Sequence, residues 1–219
     1  QVAKYEHSYP HCWRTDKPIL YYPLDAWFVR TTAFKERLIA LNKTINWQPR
    51  ATGTGRFGHW LANLVDWNLS RDRFWGTPLP IWRTPDQQAE KCIGSMQELR
   101  EEVDKAVAAG FMDQPLPQDF DLHRPDVDNI ILVSDQGAKM YREPDLVDVW
   151  FDAGAMPYAQ WHYPFENQTV FQERFPADFI AEGVDQTRGW FFTLHALAGM
   201  LFDSVAFKNV ISNRSEEHT

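Results

Sequence analysis

Cysteine is nearly absent from this sequence: Cys12 and Cys92 are the only two in 219 residues. Two thiols so far apart supply no disulfide framework. The opening residues also lack the basic-then-apolar pattern of a secretory signal. No apolar run approaches the ~20 residues needed to span a bilayer, so the expectation is a cytoplasmic protein with no membrane partner. Positive charge is not in excess either. Twenty-two Lys and Arg against 30 Asp and Glu leave a formal charge of -8, which excludes a general electrostatic hold on nucleic acid and leaves any RNA contact to a local basic stretch. Internal repeats and low-complexity tracts are missing, and the fourteen prolines are scattered. Without an initiator methionine, and with the strand-like run "AFKNVIS" close to the last residue, the chain is expected to be a segment of a longer protein.

What the sequence has in quantity is aromatic surface. Ten tryptophans and an aromatic share of 15% suit either a large core or faces that stack on flat ligands, and composition does not choose between them. The 44% hydrophobic and 24% charged shares are those of an ordinary globular protein.

Periodicity supplies the elements. Residues 17–30 read as extended chain around Pro23, and Phe34, Leu38 and Leu41 then recur on one helical face. Phe57, Trp60, Leu61, Leu64 and Trp67 fall at helical spacing, and Gly76, Pro78 and Pro80 make a rigid loop after them. Ser95 and Glu98 have capping-box spacing ahead of Leu99, Val103, Ala106 and Val107, with Gly110 as the stop. "MDQPLPQDFDLHRPDVD" is polar and proline-bearing, a predicted surface excursion before the strand "IILV". "ADFIAEG" reads as a buried strand, a helix carries Trp190, Leu194, Leu197, Ala198 and Leu201, and "FKNVIS" is a further strand. Strand, helix, strand predicts a right-handed crossover in a parallel sheet.

Ligands of such sheets bind beyond the carboxyl ends of the strands, near helix N-termini. Glu182, Gly183, Asp185 and Gln186 occupy that place. Carboxylates suit ribose hydroxyls or an ammonium, and a glycine admits a ligand close to the backbone. An acidic helix start, with Asp185 and Gln186 serving the cap, explains the same residues equally well.

Four stretches go further: "SYPHCWR" (8–14), "RFGHWLANLVDWNLSRDRFWGTPLPIW" (56–82), "DVWFDAGAMPYAQWHYPFEN" (148–167) and "FPADFIAEGVDQTRGWF" (175–191). In order and wording they resemble the isoleucyl-tRNA synthetases, class I aminoacyl-tRNA ligases. The resemblance runs to about Asn213. The valyl and leucyl enzymes share the "DW-x-x-SR-x-R-x-WG-x-P" pattern but not "EG-x-DQ-x-RGWF".

The resemblance implies an α/β fold: the second half of a Rossmann-type nucleotide-binding catalytic domain, with an α+β connective sub-domain. It divides the chain into 1–55, following an editing insertion; 56–147, the connective region; 148–213, the second Rossmann half; and 214–219, a non-native tail. The "HIGH" and "KMSKS" signatures of the family do not occur here. The implied reaction turns isoleucine and ATP, with Mg2+, into isoleucyl adenylate and then charges tRNA(Ile), in a monomeric parent. Trp150, Trp190 and Gln186 are the implied isoleucine pocket, although either tryptophan alone reads as core. Glu182, Gly183 and Asp185 are the implied adenylate contacts. None of these is an acid, base or nucleophile, and the isolated segment is expected to be inactive.

Arg71 and Arg73 are candidates for tRNA acceptor-end phosphates, with ordinary ion pairs as the alternative. Their spacing fits one side of an extended segment. Some family members bind zinc through cysteine pairs. Here the position paired with Cys12 is Thr15, and neither His7 nor His11 completes a recognised ligand spacing, so no zinc is expected. His162 reads as a hydrogen-bonded structural histidine. The tail "RSEEHT" can be encoded by AGATCGGAAGAGCACACG, which looks like the start of a common sequencing adapter. Two other classes stay open: a free-standing nucleotide- or RNA-binding module, and a sister valyl- or leucyl-type synthetase.

Overall fold

The computed structural model describes Lys4 and residues 7–20 and 22–214. The chain begins with β1 (Phe28–Val29), a 3-10 turn (Thr31–Phe34), α1 (Lys35–Asn42), β2 (Asn46–Gln48) and a π-helical segment (Thr52–Phe57) that runs into α2 (Gly58–Ala62). There follow β3 (Trp67–Asn68), β4 (Ser70–Arg71), β5 (Ile81–Arg83), β6 (Glu90–Cys92), α3 (Met96–Ala108), β7 (Ile131–Val133), β8 (Lys139–Arg142) and β9 (Leu146–Val147). The last third holds α4 (Val149–Ala159), α5 (Gln168–Arg174), β10 (Ala177–Gly183), a 3-10 turn (Val184–Arg188), α6 (Trp190–Phe202) and β11 (Phe207–Asn213).

Two apolar cores organise these elements into a mixed α/β fold. β10, β11 and β2 pair in that order, all parallel, with Ala177 opposite Phe207 and Asn209 opposite Asn46. Parallel neighbours need a long connection, and α6 provides it between β10 and β11. Its residues Phe191 to Gly199 are all buried, as expected of a helix apolar on every side. Leu38, Trp47, Phe57, Leu61, Phe191 and Phe207 meet in this core, with the Trp47 ring 5.0 Å from Phe57 and edge-on to Phe191 at 5.7 Å. Gly53 in the π-helical segment lies against the Trp47 indole so closely that any Cβ there would overlap it. Buried Asn42 ties the pair together, accepting from Trp47 Nε1 (2.9 Å) and donating to the Gly53 carbonyl (3.0 Å).

The second core is an antiparallel sheet in the order β6-β5-β8-β7, with α3 packed on it. The Ser95 hydroxyl accepts from Glu98 N at 3.1 Å, and Glu98 Oε2 accepts from Gly94 N at 2.7 Å. Gly110, at φ +74°, ends the helix as the sequence predicts. Leu99, Val103 and Ala106 are buried on the sheet side. Two short ladders pair β1 with β3 and β4 with β9.

Several expectations need correcting. The helical spacing through Trp67 outlasts its helix: α2 ends at Ala62, and Trp67 enters β3, paired with Val29, where its indole is drawn to a buried carboxylate described below. "ADFIAEG" forms a strand but not a buried one. β10 is the sheet edge, with Phe179 56% exposed, because β11 takes the central position. The excursion at 112–128 is exposed along most of its length, as expected, and is also strapped to the second core. Arg100 donates to the carbonyls of Leu116, Pro117 and Gln118, and Met112, Leu116 and Phe120 pack on the apolar cluster. His162 is exposed, in a left-handed turn at φ +54°, with Glu166 3.5 Å from its ring. Phe57, Leu61 and Leu64 sit in the parallel-sheet core. The tail from residue 215 onward lies outside the described residues. Among the described residues no helix is long and apolar enough to cross a membrane.

Candidate functional site

β10 and β11 run side by side to their C-terminal ends, where Glu182 stands opposite Ser212 and Gly183 opposite Asn213. The chain then tightens into the 3-10 turn that carries Asp185 and Gln186, and α6 starts at Trp190. Glu182 and Asp185 are exposed, Gly183 and Gln186 half-buried, and Thr187 fully buried. Gly183 lies so near the Asp185 carboxylate that a side chain there would overlap it. The Asp185 carboxylate thus folds back over Gly183 at the strand end, with exposed Glu182 beside it, where open parallel sheets bind their ligands.

Gln186 has a structural task that the sequence left open. Its Oε1 accepts from Trp190 N at 3.0 Å, meeting one of the unpaired amides at the start of α6, and its Nε2 donates to Asp185 Oδ2 at 3.0 Å. The turn is held from beneath by Thr187, whose hydroxyl donates to the Val184 carbonyl (2.8 Å) and accepts from Arg56 Nε (3.0 Å). Buried Ser212 and Thr52 share a hydroxyl hydrogen bond of 2.8 Å, which fastens the end of β11 to the π-helical segment.

The two indoles reach this place from different helices. Trp190 is half-buried in the parallel-sheet core, and its Nε1 donates to the Ala153 carbonyl of α4 at 2.9 Å. Trp150, the second residue of α4, is 41% exposed. Its ring edge lies over Gly189, where a Cβ would come 3.2 Å from the indole and 2.9 Å from Gln186 Oε1. Trp150, Gln186, Gly189 and Trp190 are thus brought together where α4 and α6 pack. Gly189→Ala is expected to force apart the Trp150 ring and the Gln186 acceptor, destabilising the protein by about 1–3 kcal/mol. Thermal unfolding checks it, and an unchanged melting temperature would count against the close approach.

Asp148 caps α4, accepting from Trp150 N at 3.3 Å. Nearby, burial raises the Asp152 carboxyl above its ordinary value. A hydrogen bond from Thr77 Oγ1 at 3.0 Å pulls the other way, and the charge of Asp148 adds to the rise.

Arg71 is not presented to solvent as a free cation. Its Nη2 pairs with Asp148 Oδ2 at 2.8 Å, and Nη1 donates to the carbonyls of Asn68 and Ser70. Arg73 is exposed, but its amide turns back to the Arg71 carbonyl at 3.0 Å, so the two do not share one side of an extended strand. Sequence reasoning passed over Arg56, Thr187, Asp148 and Gly189. The "D-V-W" step ahead of an apolar run was the available signal for the Asp148 cap.

A separate cavity of about 610 Å3 lies beside the antiparallel sheet, lined by Leu79, Trp82, Ile93, Leu99 and other largely apolar residues. Glu182, Asp185 and Gln186 do not line it, and a ribose or ammonium needs their acceptors. The strand ends are therefore the better candidate. Among the described residues no three His, Cys, Asp or Glu side chains gather in a way that holds a metal ion.

The family model for the class I tRNA synthetases (I, L, M and V) matches residues 6–214. The chain belongs to that family. It is 71% identical to the isoleucine–tRNA ligase of Cytophaga hutchinsonii over 97% of this chain and 19% of that protein. Against the Bacteroides thetaiotaomicron enzyme of the same name identity is 64%, over 97% of this chain and 20% of the other. The Thermus thermophilus isoleucine–tRNA ligase is 55% identical, over 94% and 19% respectively. The chain thus spans about a fifth of the length of these relatives.

Proposed function

We propose that these residues serve an isoleucine–tRNA ligase and form its amino-acid and ribose side. The observation that carries the reading is the 71% identity to a protein of that name across nearly the whole chain, joined to a site at which two indoles and two exposed carboxylates meet. In the activation step a carboxylate oxygen of isoleucine attacks the α-phosphorus of ATP, the bond to the bridging oxygen breaks, and pyrophosphate leaves. A terminal hydroxyl of tRNA then attacks the acyl carbon, the bond from that carbon to the phosphate oxygen breaks, and AMP leaves, the hydroxyl proton passing to the leaving phosphate or to water. Positioning and charge stabilisation do most of the work in such transfers, so the absence of an acid, base or nucleophile among the site residues fits.

Trp150 and Trp190 are the walls of the slot for the branched side chain, flat surfaces that define its width. Gln186 holds the first amide of α6 and the Asp185 carboxylate in place. Glu182 and Asp185 accept from ribose hydroxyls or from the substrate ammonium, and Gly183, without a side chain, lets the Asp185 carboxylate lie against the strand end. Mg2+ would accompany the nucleotide and neutralise charge on its phosphates.

The test is amino-acid-dependent ATP–pyrophosphate exchange by the full-length gene product, with calorimetry of a non-hydrolysable isoleucyl-adenylate analogue. Exchange stimulated by isoleucine above all other amino acids is expected. Trp190→Ala is expected to weaken the analogue by at least about 10-fold, the loss of one large aromatic contact. Preference for valine or leucine would refute the assignment.

A further inference from the structure

We propose that Trp67, Arg71 and Asp148 form a positioning unit for Trp150, so that the width of the amino-acid pocket is set by groups that never touch the substrate. The inference rests on the reading of Trp150 as a pocket wall.

Asp148 is only 4% exposed, yet three donors converge on its carboxylate. Trp67 Nε1 (2.9 Å) and Arg71 Nη2 (2.8 Å) share Oδ2, and Trp150 N approaches Oδ1 at 3.3 Å. The backbone repeats the convergence. Asp148 N donates to the Leu69 carbonyl at 2.7 Å, and β9, immediately before it, pairs with β4 through Ser70–Val147 and Arg71–Leu146. Helix capping alone does not require this arrangement. A neutral Ser, Thr or Asn supplies the cap oxygen without burying a charge that must then be matched. The surplus, a buried carboxylate with a guanidinium and an indole as further donors, fixes the rotation and height of the first turn of α4.

That turn carries Trp150. This residue is 41% exposed, and its ring edge rests on Gly189. The ring direction is therefore inherited from the backbone that Asp148 anchors. Trp67 adds a second route, since its ring lies 6.1 Å from Phe151 and 6.2 Å from Phe192 and so touches both α4 and α6. Small wall movements matter here: one methylene in an apolar pocket is worth about 10–200-fold in discrimination, isoleucine against valine being the standing example.

The experiment uses the full-length gene product and the mild substitution Trp67→Phe, which keeps a ring but removes the indole donor. Asp148→Ala strips a buried ion pair and carries the greater risk of misfolding. Exchange kinetics are measured with isoleucine, valine and ATP varied in turn. Trp67→Phe is expected to raise KM for isoleucine and to lower the isoleucine-to-valine ratio of kcat/KM, each by about 3–10-fold, while KM for ATP is unchanged. In a Trp150→Ala background the same substitution is expected to shift the isoleucine KM by less than about 2-fold, because the wall it positions is gone. Effects on isoleucine and ATP alike, or effects additive with Trp150→Ala, would overturn the inference while normal exchange by the unsubstituted protein keeps the function. No isoleucine-dependent exchange by the unsubstituted protein overturns the functional reading, and this inference with it.

Discussion

Phe57→Ala is expected to destabilise the protein by about 3–5 kcal/mol, the usual result of emptying a fully buried aromatic site. Phe57 is 0% exposed. Its ring lies 5.0 Å from Trp47 and edge-on to His195 at 5.5 Å, so it joins the β2 end of the parallel sheet to α6. The surrounding groups are poorly able to close a cavity there. Trp47 is held by Asn42 and pressed against Gly53, and His195 is tied to the Leu38 carbonyl. A site that collapses little keeps most of its void. Urea unfolding measures the effect against Val65→Ala, a control at a residue 68% exposed, for which a change within about ±0.5 kcal/mol is expected. A loss below about 1 kcal/mol for Phe57→Ala would mean that the π-helical segment is not part of the stabilising core.

That segment also marks where sequence reading reached its limit. "TGTGRF" has two glycines and no apolar period before Phe57, so nothing local announces a helix. It forms because Trp47 fills the space over Gly53 and Phe57 drops into the core beside it. α3, by contrast, was legible in full, because its cap, its apolar face and its terminal glycine are all local signals. α4 was not. Its apolar residues surround the axis, and Gly154 and Pro157 interrupt it, so neither period nor propensity singles it out. Of the antiparallel sheet only β7 was legible, from the apolar run "IILV"; its strands are three or four residues long, too short for alternation to register.

The exposure of β10 was unreadable for another reason. Whether "ADFIAEG" lies at the centre or the edge depends on which partner β11 takes next, and that partner is β2, far away in sequence. The site divides the same way. Glu182, Gly183, Asp185 and Gln186 follow from strand-end logic, and the tryptophans came from a resemblance of motifs. Asp148 and Trp67, 81 positions apart, looked like an ordinary acid and an ordinary core aromatic. Only the pairing of β4 with β9 puts one on the other.

Mild acid is expected to weaken the protein through His195, by about 3 kcal/mol between pH 6.5 and pH 4. The imidazole is fully buried on α6, and burial pushes its pKa down to about 4, against a smaller opposing pull from the Leu38 carbonyl. Nε2 is 2.8 Å from that oxygen, which makes it the protonated nitrogen of the neutral ring, and Nδ1 has no partner. A proton arriving at Nδ1 would create a buried charge with nothing to meet it. An unfolded histidine takes up its proton near pH 6.5. Between 6.5 and about 4 the unfolded state therefore binds more protons than the folded one, and stability falls as pH falls, by about 1.4 kcal/mol for each unit. Above pH 6.5 both states are neutral and His195 adds no slope; below about pH 4 both are charged and the loss is complete. Carboxylates titrate in the lower part of the same range, so the measurement is a difference. Urea unfolding at pH 7 and at pH 4.5 is compared for the unsubstituted protein and for His195→Gln, which retains a donor for the Leu38 carbonyl but cannot titrate. The histidine protein is expected to lose about 2 kcal/mol more than the glutamine variant over that interval. Equal losses would place the histidine in contact with water or with an acceptor for its second proton, contrary to its burial in this core.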